Sequence, residues 1–153
     1  MTEGPRRLGS NLCIVCGQEN PSGLHLSFLV DRSGSAATWL ARAPFDGFPG
    51  VIHGGIVMAL LDDAMWYAAF GQGGMTLTAQ AQVRYRRPLE VGMTVDVQGV
   101  VRAHRGRIWG CAAELTADGQ VLATAEGTFL PVPADRWEAL VGSGLVHEVP
   151  ADQ

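Results

Sequence analysis

Residues 54–70 carry no charged side chain except Asp62 and Asp63. A helix built from such a run is apolar around nearly its whole circumference and has to be enclosed on most sides. The flanking sequence supplies the enclosure. Residues 24–30 and 35–41 read as strands before the run, and residues 76–87, 93–104, 107–117 and 120–130 as four strands after it. Ala79, Ala81, Val83 and Tyr85 alternate with Gln80, Gln82, Arg84 and Arg86. Val95, Val97, Val101 and Ala103 alternate in the same way with Thr94, Asp96, Arg102 and His104. Asp118-Gly119 marks a tight hairpin. Two strands, one buried helix and four strands joined by short turns predict an α+β domain, with an antiparallel sheet of about six strands wrapped around one long central helix.

At 153 residues the chain is of single-domain size. Residues 1–22 form an N-terminal segment, expected to be disordered to residue 10 and turn-rich beyond it. Residues 23–130 form the domain, with a loop over 43–52. Residues 131–153 are a tail with a short helix around 135–140. The apolar run has two carboxylates in its middle and no basic flank, so no membrane span is expected. Residues 1–7 lead into no apolar stretch, so no signal peptide is expected, and the reading is of a cytoplasmic protein.

The net charge of −4 hides an asymmetry. All eleven basic side chains are arginine, and Arg84, Arg86, Arg87, Arg102, Arg105 and Arg107 cluster against only Glu90 and Asp96. A local basic patch on an acidic chain suits one anionic ligand better than nucleic acid. Solvated strand faces account for the arginines equally well.

His53-Gly54-Gly55 opens the helix. Glycines leave backbone N–H groups open to a ligand, the first helical turn has unpaired donors, and the macrodipole adds positive charge there. Such a turn can hold an oxygen that becomes an oxyanion; glycines chosen only for close packing are the plainer explanation. Asp62 has Met58, Ala59, Met65 and Trp66 three and four positions away. That apolar setting should raise its pKa and marks it as a working carboxylate. Asp63, beside Ala59, Leu60, Trp66 and Tyr67, is nearly as unusual. His53 and Asp62 are nine residues apart, roughly 13 Å along a helix axis. They meet on one carbonyl only if a second copy packs about a two-fold axis, with Gly54 from one subunit and Asp62 from the other.

Cys13-x-x-Cys16-Gly17 is half of a zinc knuckle. His25 is conceivable as a third ligand, but a fourth is missing, so local packing and no metal is the reading. Cys111 falls on the apolar parity of its strand and reads as core. Met58, Met65, Trp66, Tyr67 and Phe70, at helical spacing, read as core before they read as a pocket.

At these residues the sequence resembles the hotdog-fold acyl-CoA thioesterases of the PaaI-like group. The resemblance rests on His53-Gly54-Gly55 with Asp62 nine residues after the histidine. It rests also on Val83-Arg84-Tyr85-Arg86-Arg87-Pro88-Leu89-Glu90-Val91-Gly92, and on Cys13-x-x-Cys16-Gly17 with Asn20-Pro21-x-Gly23-Leu24. It implies homodimers, often paired into tetramers, and acyl-CoA substrates. It implies Asp62 as general base or nucleophile and the Gly54 amide, with Gly55, polarising the thioester carbonyl. Thr78 matches a position where some members carry a hydroxyl near the attacking water, although strand parity sets it with Gln80 and Gln82. His53 would order the turn. No cofactor is implied beyond coenzyme A as part of the substrate, whose phosphates Arg86, Arg87, Arg102 or Arg105 would meet. Some members have an asparagine six residues before the histidine; here Gly47 stands there. Two other readings stay open: an enoyl-thioester hydratase pairing Asp46 with His53, and an acyl-CoA-binding module without turnover.

Overall fold

A computed structural model describes residues 4–141 and 145–151. The apolar run is helix α1, Gly54–Gly71, with Val57, Leu60, Leu61, Ala64, Met65, Tyr67, Ala68 and Ala69 buried. Burying side chains the size of leucine or methionine contributes about 1.5–3 kcal/mol each. The enclosure is an eight-stranded antiparallel sheet. In chain order its strands are β1 (Arg6–Gly9), β2 (Phe28–Asp31), β3 (Gly34–Leu40), β6 (Thr76–Tyr85), β7 (Thr94–Arg105), β8 (Ile108–Ala117), β9 (Gln120–Pro131) and β10 (His147–Glu148). Across the sheet the order is β10-β1-β2-β3-β7-β8-β9-β6. Strands β4 (Asp46–Phe48) and β5 (Val51–Ile52) form a separate hairpin that delivers the chain to α1. A second helix, α2 (Ala134–Val141), follows β9 and sets Trp137 on Trp66 with ring centroids 6.1 Å apart.

The hotdog class is as expected, with a sheet two strands wider than six. Six strands (β2, β3, β6, β7, β8 and β9) touch α1. β1 and β10 extend the sheet beyond them. Residues 6–9 lie in the segment expected to be disordered, yet they pair with β2 and β10, and Leu8 is buried. Two arginines, one leucine and one glycine carry no readable alternation; the partners lie some twenty and one hundred and forty residues away in sequence. The hairpin β4–β5 stands where a plain loop was expected, and only residues 28–30 of the predicted strand 24–30 join the sheet. Leu24 and Leu26 instead donate to the carbonyls of Ile14 and Val15, and Val15 and Cys16 join the same core as α1. The N-terminal segment is thereby part of the domain's packing. Residues 1–3 of that segment lie outside the described residues. Among the described residues no helix is long and apolar enough to cross a membrane.

The helix touches the sheet backbone to backbone. Ser35 Oγ, buried on β3, donates to the Ala64 carbonyl at 2.5 Å. A methyl group built on Gly99 of β7 would lie 2.1 Å from that same oxygen. Gly99→Ala should therefore push α1 off the sheet and lower stability by about 1–3 kcal/mol in denaturant unfolding. Gly110→Ala, whose added carbon meets nothing nearer than 3.6 Å, serves as the control and should leave the midpoint nearly unchanged.

Candidate active site

The start of α1 is built by its cap. His53 has φ −58° and ψ 136°, and its Nδ1 accepts from the Gly55 N–H at 2.8 Å. The ring is thus unprotonated at Nδ1. The expectation that Gly55 shares in oxyanion binding is corrected here, because its donor is occupied by the histidine. The Gly54 N–H has no partner among the described residues. The Gly54 carbonyl accepts from Tyr85 Oη at 2.8 Å, so β6 holds the first helical residue from the opposite side. A cleft of about 430 Å³ opens at this end, lined among others by Phe48, Val51, Gly54, Tyr85, Arg86 and Arg87. Tyr85 had no assigned role from sequence; its apolar parity at a strand end, directly before Arg86-Arg87, was the available signal.

Asp62 lies two turns further along α1, partly exposed on the strip that Gly55 and Met58 share. Thr78 Oγ1 donates to its Oδ1 at 2.9 Å. Parity from sequence set Thr78 with Gln80 and Gln82, and the structure overturns that. A bulge in β6 shifts the register between Thr78 and Gln80 against β9. Thr76 and Thr78 therefore share the helix side with Ala81, Val83 and Tyr85 beyond the bulge, an extra residue having reversed the alternation. Desolvation raises the Asp62 pKa above the ordinary carboxylate range, and the Thr78 hydrogen bond opposes it. No cation pairs with Asp62 among the described residues.

Asp63 points elsewhere, as 100° of helical rotation requires. Its Oδ2 lies 3.8 Å from Cys13 Sγ, and one ligand atom each of Cys13, Cys16 and Asp63 falls within 4.8 Å of the others. Burial pushes Asp63 well above the carboxylate range, reinforced by the charge of Cys13. Cys13 is held below the ordinary thiol range by the Cys16 side chain and by backbone N–H groups, and Cys16 is correspondingly raised. His25 is not in this group; its ring contacts the Asn20 carbonyl. The third candidate ligand is Asp63, which sequence reading did not connect to the cysteines because fifty residues separate them. Cys111 is buried as expected, as are Met65 and Tyr67, whereas Met58 is exposed.

The arginines divide. Arg86 and Arg87 line the cleft beside Gly54. Arg84 and Arg102 join Arg86 around a groove of about 460 Å³ on the outer face of the sheet, which Glu114 and Glu126 also line. Arg105 ends β7 opposite Ile108, at a hairpin tip, and lines neither space. Asp46 of β4 forms no hydrogen bond with His53, whose backbone N–H goes to the Phe45 carbonyl.

A family model described as the thioesterase superfamily matches residues 49–124, from the turn before α1 into β9. Over those residues the chain resembles the thioesterase superfamily. The acyl-coenzyme A thioesterase THEM4 of Rattus norvegicus is 25% identical over 92 residues, which cover 59% of this chain and 40% of the relative. The crystal structure of RHA08564, a thioesterase superfamily protein, matches with TM-score 0.73 and 29% identity over 77% of this chain and 59% of that one. A mutant form of the phenylacetic acid degradation protein PaaI from Thermus thermophilus matches with TM-score 0.67 and 25% identity, over 71% of this chain and 95% of that one. The chain spans less than two thirds of the length of the rat relative and of RHA08564.

The glycine at position 47 has a local cause. A Cβ there would lie 3.0 Å from the His53 ring and 3.2 Å from its Cα, so the β4–β5 hairpin closes over the capping histidine only without a side chain. At the other end of the site, Thr78→Val removes the hydrogen bond that favours ionised Asp62. The titration midpoint of the Asp62 carboxyl carbon, followed by NMR, should then move to higher pH. An unchanged or lower midpoint would mean that the bond does not hold in solution.

Proposed function

We propose that this protein hydrolyses an acyl-CoA or related acyl thioester, in sites shared by two copies of the chain. The observation that carries this reading is Asp62: a carboxylate desolvated on an open helix face and, among the described residues, without a cation and held only by a hydroxyl. The match to the thioesterase superfamily and the likeness to an acyl-coenzyme A thioesterase support the choice of substrate.

The chemistry follows from the geometry. The thioester carbonyl oxygen accepts from the free Gly54 N–H at the positive end of α1. Thr78 occupies Asp62 Oδ1, which leaves Oδ2 to take a proton from water as that water attacks the carbonyl carbon. A raised pKa makes ionised Asp62 a stronger base than an ordinary aspartate. The tetrahedral intermediate collapses with loss of the C–S bond, and the thiolate takes a proton from Asp62 or solvent. Free acid and thiol are the products. Arg86 and Arg87, on the cleft beside Gly54, suit the anionic coenzyme A phosphates.

Gly54 and Asp62 of one chain are about 12 Å apart along α1, so a single chain does not bring them to one carbonyl. Two features favour a second copy. β6 is a ten-residue edge strand whose outer edge is unpaired among the described residues, and Met75 and Leu77 at its start and Met58 on α1 are 40–55% exposed.

Three experiments test this. Asp62→Asn should lower thiol release about 10²–10⁴-fold. It should not lower stability at neutral pH: with a folded-state pKa above the unfolded one, ionised Asp62 opposes folding as pH rises through that range. Gly54→Pro deletes the N–H at the first helical position, which proline tolerates, after a residue whose ψ of 136° suits a following proline. A loss of about 10²–10³-fold is expected. Mixing the two inactive variants should restore activity, because one of the two shared sites then has an intact Gly54 facing an intact Asp62. No recovery on mixing, with heterodimers demonstrated, would refute the shared site. A change in enoyl absorbance without thiol release would refute hydrolysis.

A further inference from the structure

We infer that Cys13, Cys16 and Asp63 form a binding site for a zinc-class divalent cation that ties the N-terminal segment to α1. The inference is independent of the reaction proposed above and uses none of its residues.

The two sulfurs come from a turn that is fixed before any ion arrives. The Gly17 N–H donates to the Cys13 carbonyl at 2.9 Å, and the Val15 N–H to Cys13 Sγ at 3.3 Å. A methyl group on Gly17 would lie 2.3 Å from the Cys13 carbonyl oxygen, so the turn closes only with glycine. Both sides of the turn are bonded into the domain. The Ser10 N–H donates to the Cys16 carbonyl and the Gln18 N–H to the Ser10 carbonyl, while Leu24 and Leu26 donate to Ile14 and Val15. A clamped turn holding two thiols together is what a pre-organised soft-metal ligand pair requires.

The third donor comes from the middle of α1. Zinc–sulfur and zinc–oxygen bonds of ordinary length at a tetrahedral angle set ligand atoms roughly 3.5–3.8 Å apart. Here Cys13 Sγ and Asp63 Oδ2 are 3.8 Å apart, and all three ligand atoms lie within 4.8 Å of one another. An ion at their centre needs movements of under about an ångström, within side-chain freedom. Without an ion the carboxylate is poorly served, since its partner is one long thiol contact and no basic side chain faces it among the described residues. A dication would satisfy what a hydrogen-bond donor does not.

Two neighbouring hydroxyls complete the surroundings. Tyr67, one turn after Asp63, is 0% exposed, and its hydroxyl has no hydrogen-bond partner among the described residues. Cys16, Asp63 and Cys13 are the neighbouring groups that act on that hydroxyl. A buried orphan hydroxyl next to the ligand set suits a water in the fourth coordination position. Ser10 Oγ, 3.3 Å from Cys16 Sγ, would orient that sulfur from behind. Two thiolates and one carboxylate select zinc-class ions over magnesium or calcium. Both thiols bind as thiolates, and their protons leave to solvent as the ion enters.

The test uses the full chain, purified with reductant and a chelator, then freed of chelator and titrated with Zn²⁺ or Co²⁺. One ion per chain by elemental mass spectrometry is expected, with a thiolate-to-cobalt charge-transfer band and a rise in Tm. Cys13→Ser and Cys16→Ser should abolish the band, and Asp63→Asn should weaken cobalt binding at least about tenfold. Should those variants not fold, alkylation of the wild-type protein gives the same answer: Zn²⁺ should slow modification of Cys13 severalfold. Trace metal only, binding that survives loss of both cysteines, or alkylation indifferent to zinc would each overturn the inference.

Discussion

The structure depends on how closely a helix can approach a sheet. α1 is apolar on almost every side, so it is stable only where strands reach it from several directions. Six strands do so because the sheet bends, with extra residues in β6, β7 and β9 shifting the register. At the closest point the Ala64 carbonyl rests against Gly99 and takes a hydrogen bond from Ser35. Ala64, Ala68 and Ala69 are fully buried there, which shows that small volume rather than large apolar area decides this part of the contact. Larger side chains such as Leu60, Leu61 and Tyr67 then fill the space on either side.

Two adjacent carboxylates on that helix have opposite surroundings because one residue turns the helix by 100°. Asp62 faces β6, where a hydroxyl steadies it and solvent reaches it. Asp63 faces the N-terminal segment, where it meets thiols. Each is desolvated, and neither has a cation among the described residues. The protein carries both at some cost in stability on its most buried element, which is the pattern of groups kept for use rather than for folding.

Much of this was legible in sequence. The helix, its neighbours and the four long strands follow from period and length, and Asp62 stands out because nothing in its helical neighbourhood can neutralise it. Other parts were hidden for identifiable reasons. β1 and β10 are short and pair with each other across almost the whole chain, so no local pattern marks them. The bulge in β6 leaves no signature in residue type, yet it moves Thr78 from one face of the sheet to the other. Whether Gly54 or Gly55 presents a free amide turned on one histidine rotamer, which the string His-Gly-Gly does not encode. The arginines clustered in sequence separate in space, because a strand sends successive side chains to opposite faces and a hairpin carries Arg105 to its tip.

The sequence by itself determined the class of the fold and the helix that bears the acids, because a seventeen-residue run charged only at two adjacent positions, flanked by alternating strands, has few ways to leave water. Only the tertiary structure decided which amide stays free, which hydroxyl reaches Asp62, and that Cys13 and Cys16 meet Asp63. Those pairings join residues from two to fifty positions apart through a cap, a bulge and a packed turn. Such contacts are set by three-dimensional register, and hydrophobic period carries no information about them.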